Sequence, residues 1–249
     1  MTRHLKLPIG LLIAAAVFGS AVAASAGEGD ELLKQVDRKL EPASYESYRK
    51  LINVEPDGKR KEFVLFTVKK GHDKVAMLFL EPASEKGRST LRLGDNMWLY
   101  VPKVGKPVRI TSLQSVTGGV FNNSDILRLD YSKEYTVTGM KKEGGTTILT
   151  LKARTKAVAY DKLIMWVDSA RKLPTKIECR TAANMLIKTL YFKDIKDFGG
   201  GIVRPARVET DSPLHKGYRS VMLFSGLKAR TVKDEVFTLG FMAKMGTLR

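Results

Sequence analysis

The stretch Glu62-Phe63-Val64-Leu65-Phe66-Thr67-Val68-Lys69-Lys70-Gly71-His72-Asp73-Lys74-Val75-Ala76-Met77-Leu78-Phe79-Leu80 holds two apolar runs separated by a polar turn built on Gly71. Runs of this length and composition read as strands. The connection Lys70-Gly71-His72-Asp73 is short, which makes the pair antiparallel, because parallel strands need a crossover of a dozen residues or more. Working outward, the same pattern predicts strands at 44–54, 60–69, 74–81, 88–93, 96–102 and 106–112. A second set follows at 133–142, 146–154, 161–168, 173–181, 185–197, 202–210 and 218–229. Turn chemistry punctuates them: Glu55-Pro56-Asp57-Gly58, Gly94-Asp95-Asn96, Glu143-Gly144-Gly145 and Gly199-Gly200-Gly201. The expected fold is therefore a mainly β (α+β) antiparallel meander of about a dozen strands.

Two segments depart from the strand pattern. Residues 30–40 predict a helix, with Leu32, Leu33, Val36 and Leu40 on one face, Asp30 and Glu31 at its N-terminus and Pro42 as its stop. Residues 113–131, between the two strand sets, carry Gly118-Gly119, Phe121, Ile126, Leu127 and Leu129, with Ser124-Asp125 as a cap for a short helix. An insertion of that length with its own apolar residues is expected to lie over the sheet as a lid, with the glycine pair as its hinge. An ordinary buried connector is the alternative.

The strands 63–66, 75–80 and 97–101 are apolar on both faces, as in sheets covered on both sides. With only two helices in the sequence to cover them, an apolar ligand is expected to complete the cover; a closed barrel with a packed interior is the alternative. Alternation places Trp98, Tyr100, Met165, Leu190, Phe192, Met222 and Phe224 beneath the lid. Together with Phe121, Ile126 and Leu127 they form the expected lipid-binding lining. Each also suits an ordinary core.

The N-terminus has the pattern of a secretory signal peptide: Arg3, His4 and Lys6, an apolar run from Leu7 to Phe18, and Ala24-Ser25-Ala26 before Gly27. Residues 1–26 are expected to be cleaved, leaving 27–249 as one periplasmic domain. The chain has 43 Lys plus Arg against 26 Asp plus Glu, a net charge of +17. Cleavage removes Arg3 and Lys6 and no acid, leaving +15. Outside the cytoplasm such a charge points to anionic lipid heads or glycolipids rather than nucleic acid, although the spread of the lysines along the chain suits a simple solvated surface for most of them. Cys179 is the one cysteine, so there is no internal disulfide. His72 and His215 fall in turns, no nucleophile-elbow or phosphate-cradling motif occurs, and no catalytic residue, metal site or cofactor is expected.

The stretch Met97-Trp98-Leu99-Tyr100-Val101-Pro102-Lys103-Val104-Gly105-Lys106-Pro107-Val108-Arg109-Ile110, followed by Ser124-Asp125, resembles the LolA-like outer-membrane lipoprotein-sorting family, in its looser branch. Val36-Asp37-Arg38-Lys39-Leu40 before Tyr45 is similar to that family's opening helix. Gly201-Ile202-Val203-Arg204-Pro205-Ala206-Arg207-Val208-Glu209 is similar to its late strand. The resemblance runs from about residue 30 to 240. It implies an incomplete antiparallel β-barrel whose apolar concave face is covered by helices and receives acyl chains. It also implies a non-enzymatic periplasmic carrier of a lipid or lipoprotein, with an inner-membrane transporter and an outer-membrane acceptor as partners. The rival expectations are a lipid-sensing module that signals through a partner protein, and a polyanion-binding envelope protein with a packed core.

Overall fold

The computed structural model describes residues 18–115 and 117–249. The basic n-region and nearly all of the apolar run expected as a signal peptide lie outside the described residues. Helix α1 spans Phe18–Leu40. It begins well before the expected residue 30, because the preceding stretch is rich in alanine, the strongest helix former. Its Leu33, Val36 and Leu40 are fully buried, as their spacing required.

Six strands follow: β1 (Ser44–Val54), β2 (Arg60–Lys70), β3 (Lys74–Glu81), β4 (Ser89–Leu93), β5 (Asn96–Tyr100) and β6 (Pro107–Ile110). Two single-turn helices, α2 (Asn123–Ile126) and α3 (Tyr131–Glu134), lead to the second set. That set is β7 (Tyr135–Glu143), β8 (Thr146–Ala153), β9 (Lys162–Asp168), β10 (Leu173–Arg180), β11 (Leu186–Asp197), β12 (Val203–Asp211) and β13 (Arg219–Ala229). The short-helix cap is Asn122 rather than Ser124: its side chain accepts from Asp125 N, and Asp125 accepts from Asn122 N.

Among the described residues the strands form a single sheet of 13 in the order β6-β5-β4-β3-β2-β1-β13-β12-β11-β10-β9-β8-β7. All pairs are antiparallel, and β13 returns beside β1. The sheet is open, with β6 and β7 as its two edges. The connection from β6 to β7 must therefore pass from one edge to the other, and it does so across the concave face. α1 lies in the same hollow and protects the β7 edge, where Asp30 Oδ1 accepts from Val137 N at 3.1 Å. A Cβ on Gly29 would sit 2.7 Å from Val137 Cγ1, so only glycine allows this approach.

The convex face corrects one expectation. Strands β8 and β9 alternate buried and half-buried residues, whereas β2 and β3 are buried on both faces over most of their length. The second cover there is the C-terminal segment of the chain, not a ligand. Val232, Val236, Phe237, Met242 and Met245 pack on Phe66, Val68, Ala76, Leu78 and Leu91. The segment ends in an unusually long 3-10 helix, Leu239–Leu248. Met242, Met245 and Leu248 recur every third residue, the period that aligns side chains in a 3-10 helix and scatters them in an α-helix. Ser89 Oγ donates to Met242 O at 2.9 Å, and Lys70 and Lys74 pair with Asp234 at 2.9 and 2.7 Å.

Phe237→Ala should therefore lower stability by about 3–5 kcal/mol, the usual loss for truncating a buried aromatic side chain. Urea unfolding reads this directly; an unchanged midpoint would mean that the segment contributes no cover.

Candidate functional site: the covered hollow

The concave wall is built by strand alternation. Phe63 and Leu65 of β2, Val75, Met77 and Phe79 of β3, Met165 of β9, Ile177 of β10 and Met222 of β13 face inward into one cluster. Phe121, Ile126 and Leu127 close that cluster from the β6–β7 connection, each 1% exposed. Leu190 and Phe224 join it, and Phe192 packs against it half-buried. Eight of the ten expected lining residues are thus brought together.

Trp98 and Tyr100 are not among them. They pack on the convex face beside Leu91 and the C-terminal segment. Met97 is the inward residue of β5, and a shift of one residue in parity moves every neighbour to the other face.

The connection is fastened by polar side chains from the wall, which the sequence reading did not single out. Arg49 Nη1 of β1 donates to Ile126 O at 2.7 Å. Arg92 Nη1 of β4 donates to Leu127 O at 3.1 Å. Lys69 Nζ of β2 donates to Asp130 Oδ1 at 2.5 Å, and Lys188 Nζ of β11 to Asp125 Oδ2 at 2.8 Å. Lys188 also donates to Val120 O. At the other end Asn53 Nδ2 donates to Thr117 O and Gly118 O at 3.1 and 2.9 Å, while Val120 N donates to Ser220 Oγ at 2.9 Å.

The glycine pair, expected as a hinge, is held at a fastening point by Asn53. Gly118 and Gly119 have φ of +70° and +76°, and a Cβ on Gly119 would lie 2.3 Å from Asn53 Oδ1. Glycine is required here both by conformation and by close approach.

The buried cations of the hollow differ in how they are neutralised. Arg92 pairs with Glu134 and Lys188 with Asp125. Glu41, at the end of α1, instead gathers Arg128 at 2.6 Å, Lys69 at 3.1 Å and Arg204 at 3.7 Å. Burial alone would push the Glu41 carboxyl up; Arg128, Lys69, Arg49 and Arg204 together hold it well below the usual carboxylate range. Arg204 donates from Nε to Pro205 O at 3.1 Å and from Nη1 to Leu40 O. Burial pulls its guanidinium down to about 10, with Glu41 opposing and Arg128 and Arg49 adding to the fall. Asp37 lies one turn earlier on α1 and accepts from Tyr131 N and Ser132 N at 2.8 and 2.9 Å. Burial raises its pKa, and the neighbouring Asp130 adds to the rise.

The space left between cover and wall, bounded by Ser124, Arg128, Tyr131, Tyr160, Ile177 and Leu190, is about 20 Å³. That is room for about one water, against the roughly 300–1,000 Å³ of ordinary ligand pockets. A cavity of about 410 Å³ opens at the rim beside Leu129, Lys133, Thr155 and Val158. Cys179 is buried in the hollow, and burial pushes its thiol well up, which suppresses the reactive thiolate. Among the described residues no group of His, Cys, Asp and Glu could hold a metal ion, and no helix is long and apolar enough to cross a membrane.

Glu41→Gln should cost about 3–5 kcal/mol, because it leaves buried cations without their shared carboxylate. A depressed folded-state pKa contributes stability above the ordinary value of 4.5, and that contribution is lost as pH falls through the folded value. Urea unfolding from pH 7 downward should therefore show a shallower acid loss in the Gln variant. Parallel pH curves would contradict this account of Glu41.

A family model described as "Uncharacterized protein" matches residues 71–244. No curated protein sequence matches the chain. Among solved structures the chain is similar to a LolA superfamily protein from Nitrosomonas europaea, at 25% identity and a TM-score of 0.77, over 86% of this chain and 98% of that one. It is similar in fold to a DUF1329 family protein from Desulfovibrio piger, at 21% identity and a TM-score of 0.74, over 88% and 99% of the two chains. A domain named for outer-membrane lipoprotein sorting, from Vibrio parahaemolyticus, matches at 20% identity and a TM-score of 0.72, over 88% and 99%. The chain belongs to the family whose model spans residues 71–244, and its fold is LolA-like.

Proposed function

We propose that this protein is a non-enzymatic periplasmic carrier that takes the acyl chains of a lipid or lipoprotein into the hollow beneath residues 111–134. In this reading residues 1–26 direct export and are cleaved, and 27–249 form one lipid-binding domain. An inner-membrane donor and an outer-membrane acceptor are its partners. The observation that carries the reading is the crossing from β6 to β7, which lies over an apolar wall and is tied down by side chains from four strands.

The energetics suit reversible uptake. Opening removes Phe121, Ile126 and Leu127 from the core at about 1.5–3 kcal/mol each. An entering acyl chain returns about 0.8 kcal/mol per buried methylene, so a dozen methylenes offset the loss. Neither state then dominates by much, as a protein that must both load and unload requires. The lining proposed for the chain is Phe121, Ile126, Leu127, Met165, Leu190, Phe192, Met222 and Phe224.

The test is native mass spectrometry of protein released gently from the periplasm, together with uptake of a fluorescent long-chain fatty acid. Co-purified lipid is expected. Phe121→Asp should weaken uptake by about tenfold or more, since its carboxylate must share the hollow with the chain. Lipid-free protein that takes up no probe would sink the carrier reading and favour the polyanion-binding alternative.

A further inference from the structure

The buried wall cations lose acceptors once the connection is considered as a movable part. Arg49, Lys69 and Arg204 belong to the wall, on β1, β2 and β12, and Glu41 to the end of α1. Arg128 and Asp130 belong to the connection. With the cover in place, Lys69 has Asp130 as well as Glu41, and Glu41 has Arg128. Lifting the connection withdraws Arg128 and Asp130 from this cluster and leaves three wall cations facing Glu41, while the loss of Asp125 and Glu134 leaves Lys188 and Arg92 without their acids. Asp37 of α1 then keeps no backbone donors from Tyr131 and Ser132, and it sits on the α3 side of the cluster.

Among the described residues Arg49 donates to no acid. It is 3% exposed, and its two hydrogen bonds go to Ile126 O and to Tyr45 Oη, at 2.7 and 2.8 Å. Its Nε is buried with no hydrogen-bond partner. Arg49 and Arg204 lie over the ring of Phe224, at 5.1 and 4.2 Å from its centroid. Two guanidiniums thus flank one phenyl ring at the wall of the hollow, and neither has a carboxylate oxygen within 3.5 Å; the nearest is Glu41 at 3.7 Å from Arg204. Buried charge held mainly by neutral carbonyl and hydroxyl acceptors is costly, and it is strongly relieved by an ionised oxygen acceptor.

We propose that the cargo is an anionic amphiphile whose carboxylate or phosphate head docks against Arg49, Lys69 and Arg204, taking the places that Ile126 O and Asp130 occupy when the cover is closed. This rests on the carrier reading and narrows it. The apolar chain lies along Met165, Leu190 and Met222, and the head replaces the acceptors that leave with the connection. A neutral lipid fills the same volume but leaves the wall cations bare, so it opens the cover poorly.

The experiment compares three probes of equal chain length: a fluorescent fatty acid, its methyl ester and the matching alkyl phosphate. Binding at pH 8 to the full exported protein should be about tenfold or more tighter for a charged head than for the ester. Tighter binding of the phosphate assigns a phospholipid-type head, and tighter binding of the carboxylate a free fatty acid. Arg49→Gln should bring the acid close to the ester, while Arg49→Lys, which keeps the charge, should retain most of the preference. If Arg49→Gln does not fold, the order of the three probes on the parent protein decides. Equal binding of acid and ester overturns the anionic-head inference and leaves the carrier reading standing. Failure of all three probes to bind overturns both.

Discussion

The structure depends on one topological constraint. A chain that builds six strands outward from β1 and then seven strands back toward it must cross between the two open edges of the sheet. That crossing has one short route, over the concave face. Its backbone would there be left without water, so its carbonyls need donors from the wall. Arg49, Arg92, Lys188 and Asn53 supply them. The buried charges follow from the crossing rather than from any separate demand for salt bridges. Glu41 and Asp130 then keep those cations from facing one another unopposed.

Strand positions were legible in the sequence because turn chemistry marks where each strand ends. Gly58, Gly71, Gly94, Gly144 and Gly201 all take positive φ, which is why glycine stands there. The buried charges were harder to see, although a signal was present. Tyr45, Arg49, Leu51 and Asn53 share one parity of β1, so the inward-facing leucine implied an inward-facing arginine. A charged residue on the apolar parity of a strand is evidence for a buried partner, and composition alone does not reveal it. Trp98 shows the converse. Both parities of β5 are apolar, so alternation had no contrast to assign, and only pairing with Leu91 settles which side it takes.

The C-terminal segment was illegible for a different reason. Its apolar residues recur at a period of three, which fits neither the strand period of two nor the helical period of 3.6. Residues Leu239–Leu248 therefore fall in none of the expected elements, although Met242 and Met245 are only 2% and 1% exposed. The excess apolar surface of β2–β5 was a correct observation, and its explanation lay at the far end of the same chain. Exposed apolar strand faces near a sheet edge promote edge-to-edge association, and covering them from within one chain removes that risk.

The two covers differ in what holds them. The convex cover is a row of apolar side chains with a few surface anchors, such as Lys70 and Lys74 on Asp234. Water cannot replace apolar contacts, so that cover stays. The concave cover is fastened largely by hydrogen bonds to its carbonyls and by exchangeable ion pairs, each with a net value of only about 0.5–3 kcal/mol, because water or another acceptor can stand in. Its apolar residues, Phe121, Ile126 and Leu127, are the part that water cannot satisfy. In the carrier reading, an opening partner must therefore bring both apolar surface and acceptors. Acyl chains provide the first, and an ionised head provides the second. A molecule with both replaces the cover contact for contact, whereas one with only one of them leaves either the wall cations or the apolar wall uncompensated.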